Sequence, residues 1–411
     1  MAFPFLSCDP EDLYRTGRFP AGEDERAALG EGAAGERVGA VFPAFAGARP
    51  PDFAAMAGSP AFVAEMAEIQ ARAERPPLGG AACHLYRLTE ATLFGSVLYV
   101  RRAGRPHVVY ETHRPQDRAT TRLALPAELD AAETAPEGLA LFLGTPGSGN
   151  YGHWLVDDLP RYAAFRLLRA RYPDRPITVV LTAFDPVMNE MRRQSLDLLL
   201  GADRNWRLRL VAPDAAIQFP DLHYATPVTV HPHDKSREAL RGLAAVLRAA
   251  TRGLRFKAGL RTAAENLAAG RAPRWRRRLF VDRRPTRSRA LTNVEAVWNV
   301  LAPLGFTRVD PEGMSFRRQV ETFADAELVV GTMGAAMTNT LVCAPGTSVV
   351  HLAPDSWPDP FFWDLAGVLG HRYRAVYGTA HGPEGTYYRP FTIDPELLRR
   401  VLAGIGARSQ G

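Results

Sequence analysis

Glu327-Leu-Val-Val-Gly-Thr-Met-Gly-Ala-Ala-Met-Thr-Asn339 is the stretch that decides how this chain is read. Leu328 to Val330 is a short continuous apolar run, the mark of a buried strand, which breaks at Gly331; a helix then begins near Gly334. A strand that passes through a glycine-bracketed turn into a helix gathers unpaired backbone N–H groups and the positive end of the helix dipole at one point. An anionic group would sit there. Two glycines also fit a plain strand-to-helix connection, so the neighbouring elements carry the decision.

Working outward, residues 274–380 read as one regular domain. Leu279 to Val281 is a strand, Thr292-Asn-Val-Glu295 has capping-box spacing for a helix that stops at Gly305, and Phe306 to Val309 is the next strand. Ser315 caps a helix to about Ala324; after the opening motif come a helix over Ala335 to Val342, a strand from Ser348 to Leu352, a helix near Phe361 to Leu369 and a strand near Tyr373 to Tyr377. Strands alternating with helices predict a doubly wound sheet, whose ligands bind outside the carboxyl ends of the strands. The opening motif lies at such an end.

Residues 139–273 give a first Rossmann-like domain and a linker. Leu139 to Leu143 is a buried strand that runs through Gly144-Thr-Pro-Gly-Ser-Gly149 into Asn150-Tyr-Gly-His-Trp-Leu-Val-Asp-Asp-Leu-Pro-Arg161; strands at Ile177 to Leu181 and Arg207 to Val211 flank a helix over Pro186 to Leu200. A helix from Ser236 to Leu254 joins the halves. Residues 1–138 form an N-terminal extension with a helix expected near Phe62 to Ala73 and a small antiparallel region, seen in the alternation Ser96-Val-Leu-Tyr-Val-Arg101 and His107-Val-Val-Tyr110. Residues 381–411 close the chain with a helix from Asp394 to Leu402. The expected class is α/β: two Rossmann-like domains facing a cleft, the GT-B architecture, which glycosyltransferases share with some nucleotide-sugar epimerases.

Composition narrows the setting. A chain of 411 residues, 46% of them hydrophobic, fits two or three domains with sizeable cores and contains no apolar run of membrane-spanning length. The amino terminus lacks the basic and apolar regions of a signal peptide. Cys8, Cys83 and Cys343 show no metal or disulfide spacing, so a cytoplasmic protein is expected, with contact at the inner face of a membrane left open. The net charge is +6, supplied mostly by Arg. Scattered arginines fit a coding bias toward Ala, Arg, Gly and Pro, but the run Arg271-Ala-Pro-Arg-Trp-Arg-Arg-Arg278 is less easily explained that way.

Taken together, Asn150 to Asp157, Leu159-Pro-Arg161, Arg283 through Arg289 with Asn293 and Glu295, Ser315-Phe316 with Gln319, and Gly331 to Asn339 with Pro345-Gly-Thr347 resemble glycosyltransferase family 61 in order and spacing. The resemblance spans about residues 139–378. It implies an inverting GT-B transferase that takes a nucleotide-sugar donor, as co-substrate and not as cofactor, and a glycan or glycoconjugate acceptor; bacterial members are commonly associated with surface or capsular polysaccharide synthesis. It also implies donor contacts in the C-terminal domain and acceptor contacts in the N-terminal one. Two positions depart from the family: Met333 stands where a His is usual, and His351 where an acidic residue is usual. Met cannot donate a hydrogen bond, and a neutral imidazole cannot accept two ribose hydroxyls as a carboxylate does.

Inverting transfer needs a base for the acceptor hydroxyl, stabilisation of the leaving diphosphate and a site that holds both substrates in line. Asp157 is the first choice for the base, with His153 oriented by Asp157 as the alternative; four residues apart on a helix, the two can share a face. The bland reading is that His153, Trp154 and Asp157 only cap and pack the helix. Arg283 and Arg289 follow a strand end and suit a diphosphate clamp. Gly331, Met333, Gly334, Ala335, Ala336, Thr338, Asn339 and His351 complete the donor assignment; Asn150, Tyr151 and Trp154 make up the acceptor assignment. Asn293 and Glu295 read as capping residues, His231-Pro-His233 as a turn, and Trp357, Phe361, Phe362 and Trp363 as core in preference to a sugar platform. No metal ligand set stands out, so metal-independent chemistry is expected. The competing classes are an epimerase of the same fold, a polyanion-binding protein using Arg271 to Arg289, for which no nucleic-acid module is recognised, and an inactive sugar-binding relative. Donor sugar, acceptor and oligomeric state are not legible.

Overall fold

The computed structural model describes residues 35–45, 82–113, 121–230, 233–268, 276–283, 288–357, 359–383 and 389–407, with the short pieces 5–7, 26–28, 64, 117 and 270. The helix expected over 62–73 falls almost wholly outside these, as do His231, Arg271, Arg274, Arg284 and Arg287. Contacts divide the chain into two units, one of residues 1–46 and 78–230 and one of residues 47–77 and 231–411. The division thus falls at Val230 and His231 and not at 273. No described helix is long and apolar enough to cross a membrane.

The first unit is built on a mixed sheet. Leu139–Phe142 is buried at every position and lies parallel to Ile177–Thr182 on one side and Ala216–Ala225 on the other, with Trp206–Val211 parallel outside Ile177–Thr182. The chain enters at the centre, crosses twice in one direction, then returns to the opposite flank. The carboxyl ends of Leu139–Phe142 and Ala216–Ala225, where the direction reverses, are therefore a topological switch point.

The antiparallel strands expected upstream are present but do not form a region of their own. Cys83–Phe94 pairs antiparallel with Ala216–Ala225, in register at Leu88 and Leu222, and Val97–Arg102 and Arg105–Val109 follow as a meander. Leu88, Leu93 and Leu98 share one core with Phe142, Val180 and Tyr224. Each such side chain contributes about 1.5–3 kcal/mol on burial, which favours one continuous sheet over two half-covered ones. Ala216–Ala225, read from the sequence as part of a linker, is the strand that joins both halves.

The second unit matches its expectation more closely. Its sheet runs Phe306–Val309, Arg277–Val281, Ala326–Thr332, Ser348–Pro354, Arg372–Ala380 and Phe391–Thr392, parallel except for the last strand. The helices start where sequence places them: Ser315 Oγ accepts from Arg318 N at 3.3 Å, and Gly305, at φ 80°, ends the preceding helical segment in the left-handed region. The switch point lies between Arg277–Val281 and Ala326–Thr332. Thr292-Asn-Val-Glu295 does not close a capping box: Asn293 exchanges two hydrogen bonds with the backbone of Ile393 (2.7 and 3.0 Å), and Glu295 pairs with Arg308. This ties the helix Val294–Leu301 to the closing helix Pro395–Ala407, whose Leu398 and Leu402 complete the core.

Candidate active site

The loop leaving Leu139–Phe142 delivers the motif to the first switch point. Its backbone changes helical register three times: Pro146–Gly149 is a 3-10 turn, Tyr151–His153 is α, Trp154–Asp158 is π and Leu159–Tyr162 is 3-10 again. π turns recur at functional sites because the extra residue re-aims the side chains around it. Here Asn150, Tyr151, His153 and Asp157 reach the surface, whereas Trp154, Leu155, Val156 and Asp158 are buried.

His153 Nδ1 lies 2.7 Å from Asp157 Oδ2, and Thr229 Oγ1 donates to Asp157 Oδ1 at 2.7 Å. A carboxylate only accepts, so Nδ1 carries the proton and Nε2 holds the basic lone pair. The Asp157 side chain is 12% exposed against 31% for His153. Gly147 packs its backbone against the imidazole, where a Cβ would stand 3.3 Å from Cγ of His153. The geometry is that of the alternative pairing drawn from sequence, in which Asp157 orients His153. Thr229 was missed. It follows Ala216–Ala225, and only recognition of that strand as central would have marked it.

Asp158 faces inward. It forms a fully buried pair with Arg161 and accepts from Ser148 Oγ at 2.6 Å, while Arg161 donates to Ala225 O at 2.8 Å. Burial pushes its carboxyl upward, with Arg161 and Ser148 pulling the other way. The pair ties the glycine loop to the end of Ala216–Ala225. Trp154 is not placed for an acceptor: it is fully buried, its Nε1 donating to Ser195 Oγ at 2.9 Å. Asn150 caps its own turn by accepting from Gly152 N at 2.8 Å, and Tyr151 is half-buried beside it.

At the second switch point Arg283 follows Arg277–Val281, and its Nη1 donates to Met333 O at 3.0 Å. Gly334 makes this possible, since a Cβ there would stand 1.8 Å from Nη1 of Arg283. Gly331 does not break the strand but lies within Ala326–Thr332, where a Cβ would meet Met337 Sδ at 2.5 Å and Val281 Cβ at 2.7 Å. Arg289, at φ 58°, stacks its guanidinium 4.2 Å from the ring centre of Trp357, whose Nε1 donates to Asp359 at 3.1 Å. Trp357 therefore belongs to the arginine site, while Trp363 is core.

Ala335 and Ala336 are half-buried and open the segment Ala335–Val342, which is a 3-10 helix and not the expected α-helix. Other assigned donor residues lie inside. Met333 and Thr338 are fully buried, and Asn339 Nδ2 donates to Gln319 Oε1 (2.7 Å) and Ala336 O (3.0 Å), bracing the segment against Phe316–Phe323. His351 packs between Phe362 and Tyr373, and burial pushes its pKa down to about 3, so it is a neutral core imidazole out of reach of a ribose. The alternation along Ser348–Pro354 cannot reveal this, because all seven of its residues are buried.

Comparison with known proteins bears on the same stretch. Among solved structures, the dodecameric iron-containing heptosyltransferase TibC in complex with ADP-D-beta-D-heptose is similar at 11% identity, covering 74% of this chain and 81% of its own, with a TM-score of 0.26. A search of curated proteins finds no match. The family model Glycosyltransferase 61 matches residues 151–350, the stretch that carries His153, Asp157, Thr229, Arg283 and Gly334, and this match supports reading the chain as a glycosyltransferase.

Proposed function

We propose that the protein is an inverting glycosyltransferase of family 61 and GT-B class, moving a sugar from a nucleotide-sugar donor to a glycan or glycoconjugate acceptor in cytoplasmic synthesis of a bacterial surface polysaccharide. The observation that carries the reading is the Thr229, Asp157 and His153 relay at a sheet switch point, within the stretch that matches the family. His153 Nε2 takes the proton of the acceptor hydroxyl as that oxygen bonds to the anomeric carbon. The bond from that carbon to the diphosphate breaks, and the configuration inverts. Asp157 holds the tautomer and offsets the imidazolium charge, an arrangement typically worth about 10²–10⁴ in rate.

In the second unit, Arg283, Arg289 and the backbone at Gly334 to Ala336 receive the diphosphate, with cationic side chains and backbone dipoles carrying the charge in place of a metal. Thr338, Asn339, Met333 and His351 shape that turn from within.

The test pairs thermal shift of the purified chain against nucleoside diphosphates and nucleotide sugars with an assay for acceptor-dependent release of nucleoside diphosphate. Stabilisation by one nucleotide family is expected, and His153→Gln should keep that shift while losing turnover. Turnover within twofold of wild type would remove His153 from the mechanism. Donor consumption without acceptor would instead favour an epimerase.

A further inference from the structure

The arginine run singled out in the sequence takes no part in the proposed chemistry, and it continues a helix of unusual polarity. Residues 252–278 contain nine Lys and Arg against one Glu, a net +8, so with a whole-chain charge of +6 the remainder is slightly acidic. Most of this segment is the helix Arg252–Ala268.

A surface helix of a soluble domain turns its apolar stripe inward. This one does the reverse along its described side chains. Thr262, Glu265 and Asn266 line a cavity of about 280 Å³ together with Arg276, Arg277, Arg278 and Leu304, at the amino ends of the strands Arg277–Val281 and Phe306–Val309. Leu260, Ala264 and Leu267 follow one another at i, i+4 and i+7 on the opposite face, and Leu260 and Leu267 are 46% and 66% exposed. With Leu304, they are three of the six large hydrophobic side chains exposed among the described residues. Scattered singly such residues need no explanation; gathered on and beside one cationic helix they do.

Two exposed arginines, Arg252 and Arg261, flank the leucine stripe, and the cavity side beyond it is cationic as well. Among the described residues no hydrogen bond or ion pair engages the side chains of Arg276 and Arg277, and Arg277 is set against Arg318 and Arg261 as well as Asp325 and Glu265. Arg278 is the exception, held by Glu327 at 2.7 Å and Leu304 O at 3.1 Å.

We propose that the outward face of helix Arg252–Ala268, with the exposed Arg252 and Arg261 at its margins, docks the protein on an anionic lipid bilayer. The leucines enter the boundary between headgroups and acyl chains, and the flanking arginines meet the headgroup phosphates, the behaviour of basic amphipathic helices at interfaces. A soluble polyanion would need the cations alone and would leave the leucines without a role. The helix lies beside the amino ends of the sheet, whereas Arg283 and Gly334 lie at its carboxyl ends, so docking leaves the donor turn uncovered. The inference does not rest on the catalytic reading, because it is tested without substrate.

The experiment is co-sedimentation of the full chain with vesicles of phosphatidylcholine alone or with about a third phosphatidylglycerol, at low and at physiological ionic strength. Selective binding to the anionic vesicles is expected. Arg252→Gln combined with Arg261→Gln should lower it by about fivefold per arginine. Leu260→Ser combined with Leu267→Ser replaces exposed side chains, so it should leave the fold intact and weaken binding several-fold at physiological salt. Equal binding to both vesicle types, or no binding to either, would overturn the proposal. So would leucine variants that bind as wild type while heparin competes all the protein away, an outcome that would point to a soluble polyanion instead.

Discussion

Nδ1 of His153 donates to Asp157 Oδ2 across 2.7 Å, and the carboxylate that fixes this imidazole is itself held from its other oxygen by Thr229, 72 residues further along the chain. The relay makes the histidine's tautomer a property of the fold and not of the local helix.

Replacing the carboxylate by its amide should therefore uncouple orientation from charge. Asp157→Asn is expected to lower kcat/KM by about 10²–10⁴ while nucleotide-induced stabilisation persists. Thr229→Val should lower kcat by a smaller factor, about tenfold, which corresponds to losing one hydrogen bond to a charged group. Steady-state kinetics on both variants check the ordering; a Thr229→Val defect as large as that of Asp157→Asn would contradict it.

Gly334 has an extended backbone, with φ of 165°, so any residue could adopt its conformation. What forbids a side chain is the Arg283 guanidinium 1.8 Å from where a Cβ would stand. Gly334→Ala is expected to displace Arg283 from Met333 O and to weaken nucleotide binding more than tenfold, with about 1–3 kcal/mol of stability lost to overpacking. Isothermal titration with the preferred nucleoside diphosphate measures the first effect and urea unfolding the second.

Asp158 and Arg161 form an ion pair in which both side chains are 0% exposed. Asp158→Ala leaves a buried guanidinium without its counter-charge and should cost about 3–5 kcal/mol, read as a lower urea midpoint with an unchanged slope. Asp158→Ala combined with Arg161→Met should recover part of that loss, because no uncompensated charge then remains.

Two buried imidazoles should make the second unit acid-sensitive. Burial pushes His351 down to about 3 and His371 down to about 4. In the unfolded chain each would titrate near 6.5, so between that pH and the folded values the unfolded state binds more protons, and stability falls as pH is lowered. At pH 5 each histidine should cost about 2 kcal/mol relative to pH 7. His351→Phe, which keeps a ring against Phe362 and Tyr373, should flatten the decline of Tm between pH 6.5 and 4. An identical slope in the variant would assign the acid sensitivity to other groups.

Local information reached far in the second unit. The apolar runs at Leu279 to Val281 and Leu328 to Val330, the Ser315 cap and the stop at Gly305 are all short-range signals, and the structure places strands and helix ends there. The motif from Asn150 to Asp157 was equally visible, and so was the pairing of His153 with Asp157, because residues four apart meet on any helix.

The sequence by itself thus determined most strands and helices of the second unit, and that both motifs leave strands at their carboxyl ends. Three things were decided only by tertiary structure. Ala216–Ala225 is central because it shares a core with strands from both sides of the chain, and no window of local pattern contains that pairing. Met333, Thr338, Asn339 and His351 are interior because their elements are covered on every face, where alternation carries no signal. Asp157 is held from both oxygens, by His153 and by Thr229, because that same strand brings Thr229 to the second carboxylate oxygen. Contacts between residues far apart in the chain are fixed by the packing of whole sheets, and that packing is what brought Thr229 to Asp157.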